Sequence, residues 1–167
     1  LAIDQITIAA WNGGALGGGA CITTACDFRI GAEDCFMQYP EIDIGMNLQW
    51  KSLPLITHLV GSARAKRLVA GGERIHAQTL FEWGVLDEIV ALDDLFPTAK
   101  RLADFYANKS PVAVQMIKKS INTITGALDQ SIMHMDSDQH MVASASADSK
   151  EAVRSYLDKA KPIFTGD

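Results

Sequence analysis

The 167-residue sequence has no basic majority. Its 15 Lys and Arg stand against 20 Asp and Glu, a formal net charge of −5. A nucleic-acid partner needs a clustered basic face, so none is expected. No apolar run approaches the roughly 20 residues that span a bilayer, so no membrane partner is expected either. The opening Leu1-Ala-Ile-Asp4 has no basic n-region of a signal peptide. It also lacks an initiator Met, and the sequence reads as starting inside a longer protein. Cysteine is scarce: Cys21, Cys26 and Cys35 form an odd set without paired spacing, which describes no disulfide framework. Free thiols of this kind fit a reducing compartment, and the expected location is cytoplasmic. Repeats, low-complexity stretches and flexible linkers are missing as well.

The residues that are present suit a soluble globular domain, 48% hydrophobic and 21% charged. A chain of this size buries roughly 70% of its unfolded surface, enough for a real core. Residues 6–10 alternate and are β-branched, as in a buried strand. Asn12-Gly-Gly14 breaks it, and Gly17-Gly-Gly19 follows two residues later. Small apolar residues over 20–26 predict a short buried helix, and 27–30 and 35–37 predict strands. Beyond Pro40, helices are expected over 53–59, 63–70 and 77–83, closed by glycines at Gly71-Gly72 and Gly84. Residues 85–90 read as a short strand. The remainder is helical. One stripe covers 95–108, and Ser110-Pro111 opens a helix to about 125. A long helix is predicted over 129–147. Asp148-Ser-Lys-Glu151 has the form of a capping box for a last helix, which Pro162 ends.

A strand running through glycines into a helix is an anion-binding arrangement, because the first helical N–H groups are unsatisfied donors. A dinucleotide pyrophosphate asks for G-x-G-x-x-G and a nucleoside triphosphate for G-x-x-x-x-G-K-[ST]; the loop has neither. A developing oxyanion needs only one or two aimed N–H groups, and the loop fits that use. From the loop alone, a tight strand–helix connection with no ligand is an equal alternative.

The string Ile8-Ala-Ala-Trp-Asn-Gly-Gly-Ala-Leu-Gly-Gly-Gly19 resembles the "IAAVNGxALGGG" segment of the crotonase superfamily, the enoyl-CoA hydratase/isomerase family. The resemblance runs collinearly through Ala25-Cys-Asp-Phe-Arg-Ile30, Gln38-Tyr-Pro-Glu-Ile42, Leu59-Val-Gly61, Gly72-Glu-Arg-Ile75, Glu82-Trp-Gly-Val85 and Lys159-Ala-Lys-Pro-Ile-Phe164. It implies an α/β fold: a crotonase-like β-β-α spiral core, partial here over 1–92, followed by a helical C-terminal trimerisation region over 93–167. It implies acyl-CoA thioester substrates and no cofactor beyond the coenzyme A they carry. Homotrimers or dimers of trimers are the implied assembly. The family's N-terminal half, roughly a hundred residues, has no counterpart here.

The resemblance also assigns roles. Gly18, the middle glycine of the triplet, is one backbone donor to a thioester enolate oxygen, and the second donor belongs to the absent half. Family hydratases use two glutamates. Glu41 of Pro40-Glu41 occupies the second position, but Cys21 stands at the first. A buried thiol cannot act as a carboxylate. A single base at Glu41 favours isomerase-like or other enolate chemistry over two-glutamate hydration. A second departure replaces "PGxGGTQRL" with Asn47-Leu-Gln-Trp-Lys-Ser-Leu-Pro54, which puts Gln49 and Trp50 near the acyl group; core packing is an equal reading for Trp50. Lys159 and Phe164 match a pair near the coenzyme A adenine, or else form a solvated helix end. His134, Asp136, Asp138 and His140 pair at i,i+4, but read as a polar helix face with no metal. The alternative to an enzyme is a non-catalytic relative or fragment that acts only in oligomeric assembly.

Overall fold

Residues 2–167 are described by a computed structural model. Leu1, at the head of the start discussed above, lies outside them. The first strand, β1 (Ile8–Trp11), runs into β2 (Gly14–Leu16) and helix α1 (Gly18–Thr24). A second round follows: β3 (Phe28–Ala32), β4 (Phe36–Gln38), a 3-10 turn (Pro40–Ile44) and helix α2 (Leu53–Val69). A third comprises β5 (Ile75–His76), helix α3 (Ala77–Glu82) and β6 (Glu88–Val90). Each round gives one strand to each of two sheets. One is parallel, in the order β1-β3-β6. The other is β2-β4-β5, with β2 parallel and β5 antiparallel to β4. This is the expected β-β-α spiral.

β2 was not foreseen. It lies inside the glycine-rich stretch read as a break, and it is a strand because Gly14, Ala15 and Leu16 pair in register with Phe36, Met37 and Gln38. The two helices expected over 53–59 and 63–70 are found end to end in α2, hinged at Gly61 with φ 76° and ψ 165°.

Four helices complete the chain: α4 (Leu92–Ala107), α5 (Pro111–Thr125), α6 (Met135–Ala145) and α7 (Ala147–Asp158). The core fills the space between the sheets and α2 with Tyr39, Met37, Ile56, Leu68, Leu80 and their neighbours. Leu95 and Ala99 of α4 pack on Ile30 and Ala32 of β3 in a second cluster. The region past residue 129 corrects the sequence reading. No single helix spans 129–147: a 3-10 turn at Asp129–Ser131 precedes α6, and Ser146 turns extended (ψ 157°) to end it. Asp129 is turned to His58 at 2.8 Å, a contact with α2 that helical continuation would have to keep.

The capping box at 148–151 does not form. The cap of α7 is Ser146, whose Oγ accepts from the Ser149 N–H at 3.0 Å. Asp148 of the first turn and Glu151 just beyond it go to the C-terminal tail instead. Asp148 accepts from Thr165 N (2.7 Å) and Gly166 N (2.9 Å), and Glu151 accepts from Ile163 N (3.2 Å). The last helix stops before Pro162. Lys159 is left-handed at φ 53°, and Ala160 N donates back to Ser155 O at 2.9 Å, a closure that needs no proline.

A buried lysine ties the helical region to the first sheet. Lys118 of α5 is 7% exposed and donates to Asp27 Oδ2 (2.6 Å) and to Gln5 O (2.7 Å). Asp27 also accepts from Thr7 N and Thr7 Oγ1. Removing one partner of a buried pair strands the other charge. Lys118→Met is therefore expected to destabilise the protein by about 3 kcal/mol, read from urea unfolding.

Candidate active site

The site is built where β2 enters α1. Gly17 has φ 49° and ψ −116°, which places the backbone in a region that L side chains avoid. Its N–H donates to Gln38 O at 3.0 Å, and its carbonyl accepts from Cys21 N at 3.0 Å. Gly18, Gly19 and Ala20 form the first turn of α1, whose N–H groups have no acceptor within the helix. Position 17 must also be glycine for a spatial reason. A Cβ there would lie 2.5 Å from Glu41 Oε1. The Glu41 carboxylate is thus seated against the backbone of the glycine turn, one residue before Gly18.

Glu41 reaches this place from the 3-10 turn after β4, which ends in a left-handed Gly45 (φ 67°) packed under α7. Its Oε2 is buried without a protein partner. Cys21, one turn into α1, is 4% exposed, and Ser52 Oγ is hydrogen-bonded both to its Sγ (2.9 Å) and to Gln49 O (3.2 Å). Burial pushes the Cys21 thiol up, and the charges of Glu41 and Asp136 push it the same way against the Ser52 hydrogen bond. Cys21 is accordingly a neutral thiol at physiological pH. Cys35, in the core, is pushed up by burial to about 11.

Trp50 is 65% exposed and is no core side chain. Its indole lies over the turn: a Cβ on Gly18 would be 3.1 Å from Trp50 Cζ2 and 3.2 Å from Cε2. Trp50 and Lys51 are both left-handed, with φ 70° and 54°. Gln49 is half-buried beside them. Lys159 and Phe164 sit on the exposed C-terminal tail, and among the described residues no hydrogen bond or ion pair joins either to Glu41 or Gly18. Gly18, Cys21, Glu41, Gln49 and Trp50 are therefore brought together, while no hydrogen bond or ion pair among the described residues joins Lys159 or Phe164 to them.

Two residues escaped sequence reading. Tyr39 is fully buried, and burial above all holds its phenol well above its usual value. Asp136, read as part of a polar helix face, is 6% exposed. Burial pushes its carboxyl up, partly offset by hydrogen bonding from the Lys51 backbone N–H. Tyr39 OH, Glu41 Oε2, Asn47 Oδ1 and Asp136 Oδ2 are four of the five buried polar side-chain atoms without a protein partner among the described residues. Such atoms are rare in folded proteins, and their concentration around Cys21 marks a polar interior under the glycine turn. No periodicity in the sequence signals Asp136, because a single buried acid on a mostly polar helix looks like its solvated neighbours. No group of three His, Cys, Asp and Glu is placed to hold a metal ion among the described residues.

Comparison with known proteins agrees with this architecture. A family model described as Enoyl-CoA hydratase/isomerase matches residues 1–167. The chain belongs to the enoyl-CoA hydratase/isomerase family, within the crotonase superfamily. It is 31% identical over 163 residues to a crotonyl-CoA hydratase of Syntrophomonas wolfei subsp. wolfei, covering 98% of this chain and 63% of that protein. It is 31% identical over 165 residues to the 1,2-epoxyphenylacetyl-CoA isomerase of Escherichia coli, again covering 98% and 63%. Among solved structures, a carnitinyl-CoA dehydratase from Mycobacterium avium superposes with a TM-score of 0.91 at 26% identity, over 99% of this chain and 66% of that one. The chain thus spans about 63% of the length of these curated relatives.

Two outcomes test the geometry. Gly17→Ala is expected to cost roughly 1–3 kcal/mol, since it forces an alanine to φ 49° and displaces Glu41; thermal or urea unfolding measures it. A raised thiol pKa leaves less thiolate at a given pH. Iodoacetamide at pH 8 should therefore alkylate the half-buried Cys26 before Cys21 and Cys35, as read by peptide mass spectrometry.

Proposed function

We propose that this chain forms the greater part of an acyl-CoA-processing enzyme that stabilises a thioester enolate and moves protons with one glutamate. Placement of Glu41 carries the reading. Its carboxylate touches the backbone at Gly17, next to the free N–H groups that open α1, and one of its oxygens is buried without a partner. The substrate is a coenzyme A thioester, and no further cofactor enters the scheme. Glu41 removes a proton from a carbon activated by the thioester. The electrons move onto the carbonyl oxygen, which accepts from the Gly18 N–H and from a second donor outside this chain. Glu41 then returns the proton to a different carbon, and the double bond has shifted.

Position 21 favours this isomerase-like course, or other enolate chemistry, over hydration by two glutamates. A neutral thiol fixed by Ser52 neither activates nor shares a water as a carboxylate would. The Trp50 indole is the wall nearest Gly18, and it and the adjacent Gln49 would meet the acyl group. Lys159 and Phe164, on the tail, are free to meet the coenzyme A nucleotide of a neighbouring subunit. An assembly of trimers is supported by α5, which exposes Ile117, Ile121 and Ile124 along one face.

Glu41→Gln keeps the shape and removes the base. Turnover of an enoyl-CoA by the full-length protein should fall about 10²- to 10⁴-fold with an unchanged circular dichroism spectrum. Unchanged turnover would refute the role and return the chain to a purely assembling relative of these enzymes.

A further inference from the structure

Cys21 and the loop before α2 are the two places where this chain departs from the pattern it otherwise resembles, and the fold brings them into contact. Cys21 lies three residues after Gly18 on α1, and its Sγ is 2.9 Å from Ser52 Oγ. Both side chains are almost fully buried, at 4% and 1% exposure. The same hydroxyl is 3.2 Å from Gln49 O. A hydroxyl has one proton and two acceptor positions. It serves both contacts at once only by donating to Gln49 O and accepting from the Cys21 S–H.

Inside the Gln49–Ser52 span stand Trp50 and Lys51, both left-handed at φ 70° and 54°. Neither is glycine, asparagine or aspartate, so the conformation needs a closure, and the Ser52–Gln49 hydrogen bond is that closure. This bond fixes the shape of the turn. It does not fix where the turn sits. The Asn47 side chain holds the start of the loop to Asp136 O at 3.2 Å, three residues before Trp50. At the turn itself, the tie to the rest of the fold is Cys21, which joins Ser52 to α1. Trp50, at the corner, is 65% exposed and lies over Gly18 of the same helix, where a Cβ would be 3.1 Å from its Cζ2. Residues three apart share a helix face, so the loop meets one face of α1 twice: by a buried polar contact at Cys21 and by the indole at Gly18.

We infer that Cys21 is a positioning residue: its hydrogen bond to Ser52 seats the Trp50 turn on α1 and keeps the indole over Gly18, which limits the acyl groups that reach the glycine turn. A carboxylate at position 21 could not take this part. It has no proton to give, and it would draw the Ser52 proton away from Gln49 O. The cysteine and the tryptophan loop are therefore one unit. The effect on acyl selection rests on the proposed acyl-CoA reading; the effect on the indole does not.

The test separates the two. In full-length protein labelled with ¹⁵N at tryptophan, Trp50 is assigned by the indole N–H resonance lost in W50F. Cys21→Ala should shift or broaden that resonance and leave that of Trp83 in place. Cys21→Ser keeps a donor for Ser52 and should hold the resonance at its wild-type position. Ser52→Ala cuts the same tie from the other side and should also displace it. The double variant C21A/S52A should displace it no further than S52A alone, as two changes to one contact do. A resonance unmoved in C21A overturns the proposal, as does a C21S spectrum as altered as that of C21A, or full additivity in the double variant. In turnover, Trp50→Ala should raise kcat/KM for a long enoyl-CoA relative to a short one several-fold, and C21A should raise the same ratio. An unchanged ratio in either variant overturns the role in acyl selection. If Glu41→Gln leaves turnover intact, the catalytic reading fails while the indole measurement still decides the role of Cys21.

Discussion

The arrangement depends on the close approach of a carboxylate to a backbone turn. Glu41 can sit beside Gly17 only because no Cβ stands there, and Gly17 can take φ 49° only for the same reason. One missing atom satisfies two demands, steric and torsional. The turn aims the opening of α1, the 3-10 turn after β4 delivers the acid, and the two meet because β2 and β4 are adjacent parallel strands in register. Pairing of Leu16 with Gln38 fixes the separation of Gly17 and Glu41 at the ends of those strands. The short strand inside the glycine stretch is thus what gives the site its dimensions.

In the proposed reaction, a cysteine at position 21, where the resemblance expects a glutamate, alters more than the count of acids. A second carboxylate would raise the proton affinity of the first by repulsion and would order a water between them. A thiol held neutral by burial does neither. Glu41 lies against the turn with an oxygen that has no partner among the described residues, and in the proposed reaction that carboxylate takes the proton from carbon. Ser52, bonded to Cys21 Sγ and Gln49 O, holds the buried thiol in place.

Much of this was legible in the sequence. Gly18 and Glu41 sit in strings whose pattern is local: a strand, glycines, a helix start, then an acid three residues after β4. Strands β1, β3 and β4 and helices α2 to α5 follow from alternation, stripes and glycine stops. What was not legible depends on partners distant along the chain. β2 is a strand because Phe36–Gln38 lies beside it. The box at 148–151 fails because the tail returns to claim Asp148 and Glu151, which local propensity cannot foresee. The predicted helix over 129–147 is interrupted near residues whose side chains answer to α2 and to the loop before it.

Asp136 shows the same limit at the site itself. Helical periodicity assigns a face to a residue but cannot tell a solvated acid from a buried one when its neighbours are polar. The distinction lies in how α6 packs: Asp136 is 6% exposed and its Oδ2 has no partner among the described residues, and neither property is encoded by its neighbours in sequence. The glycine turn and Glu41 are coded within about 25 residues of each other. The glycine turn and Glu41 are therefore legible from neighbouring strings, whereas the burial of Asp136 follows from the packing of α6 on the loop before α2, where Asn47 Nδ2 donates to Asp136 O at 3.2 Å.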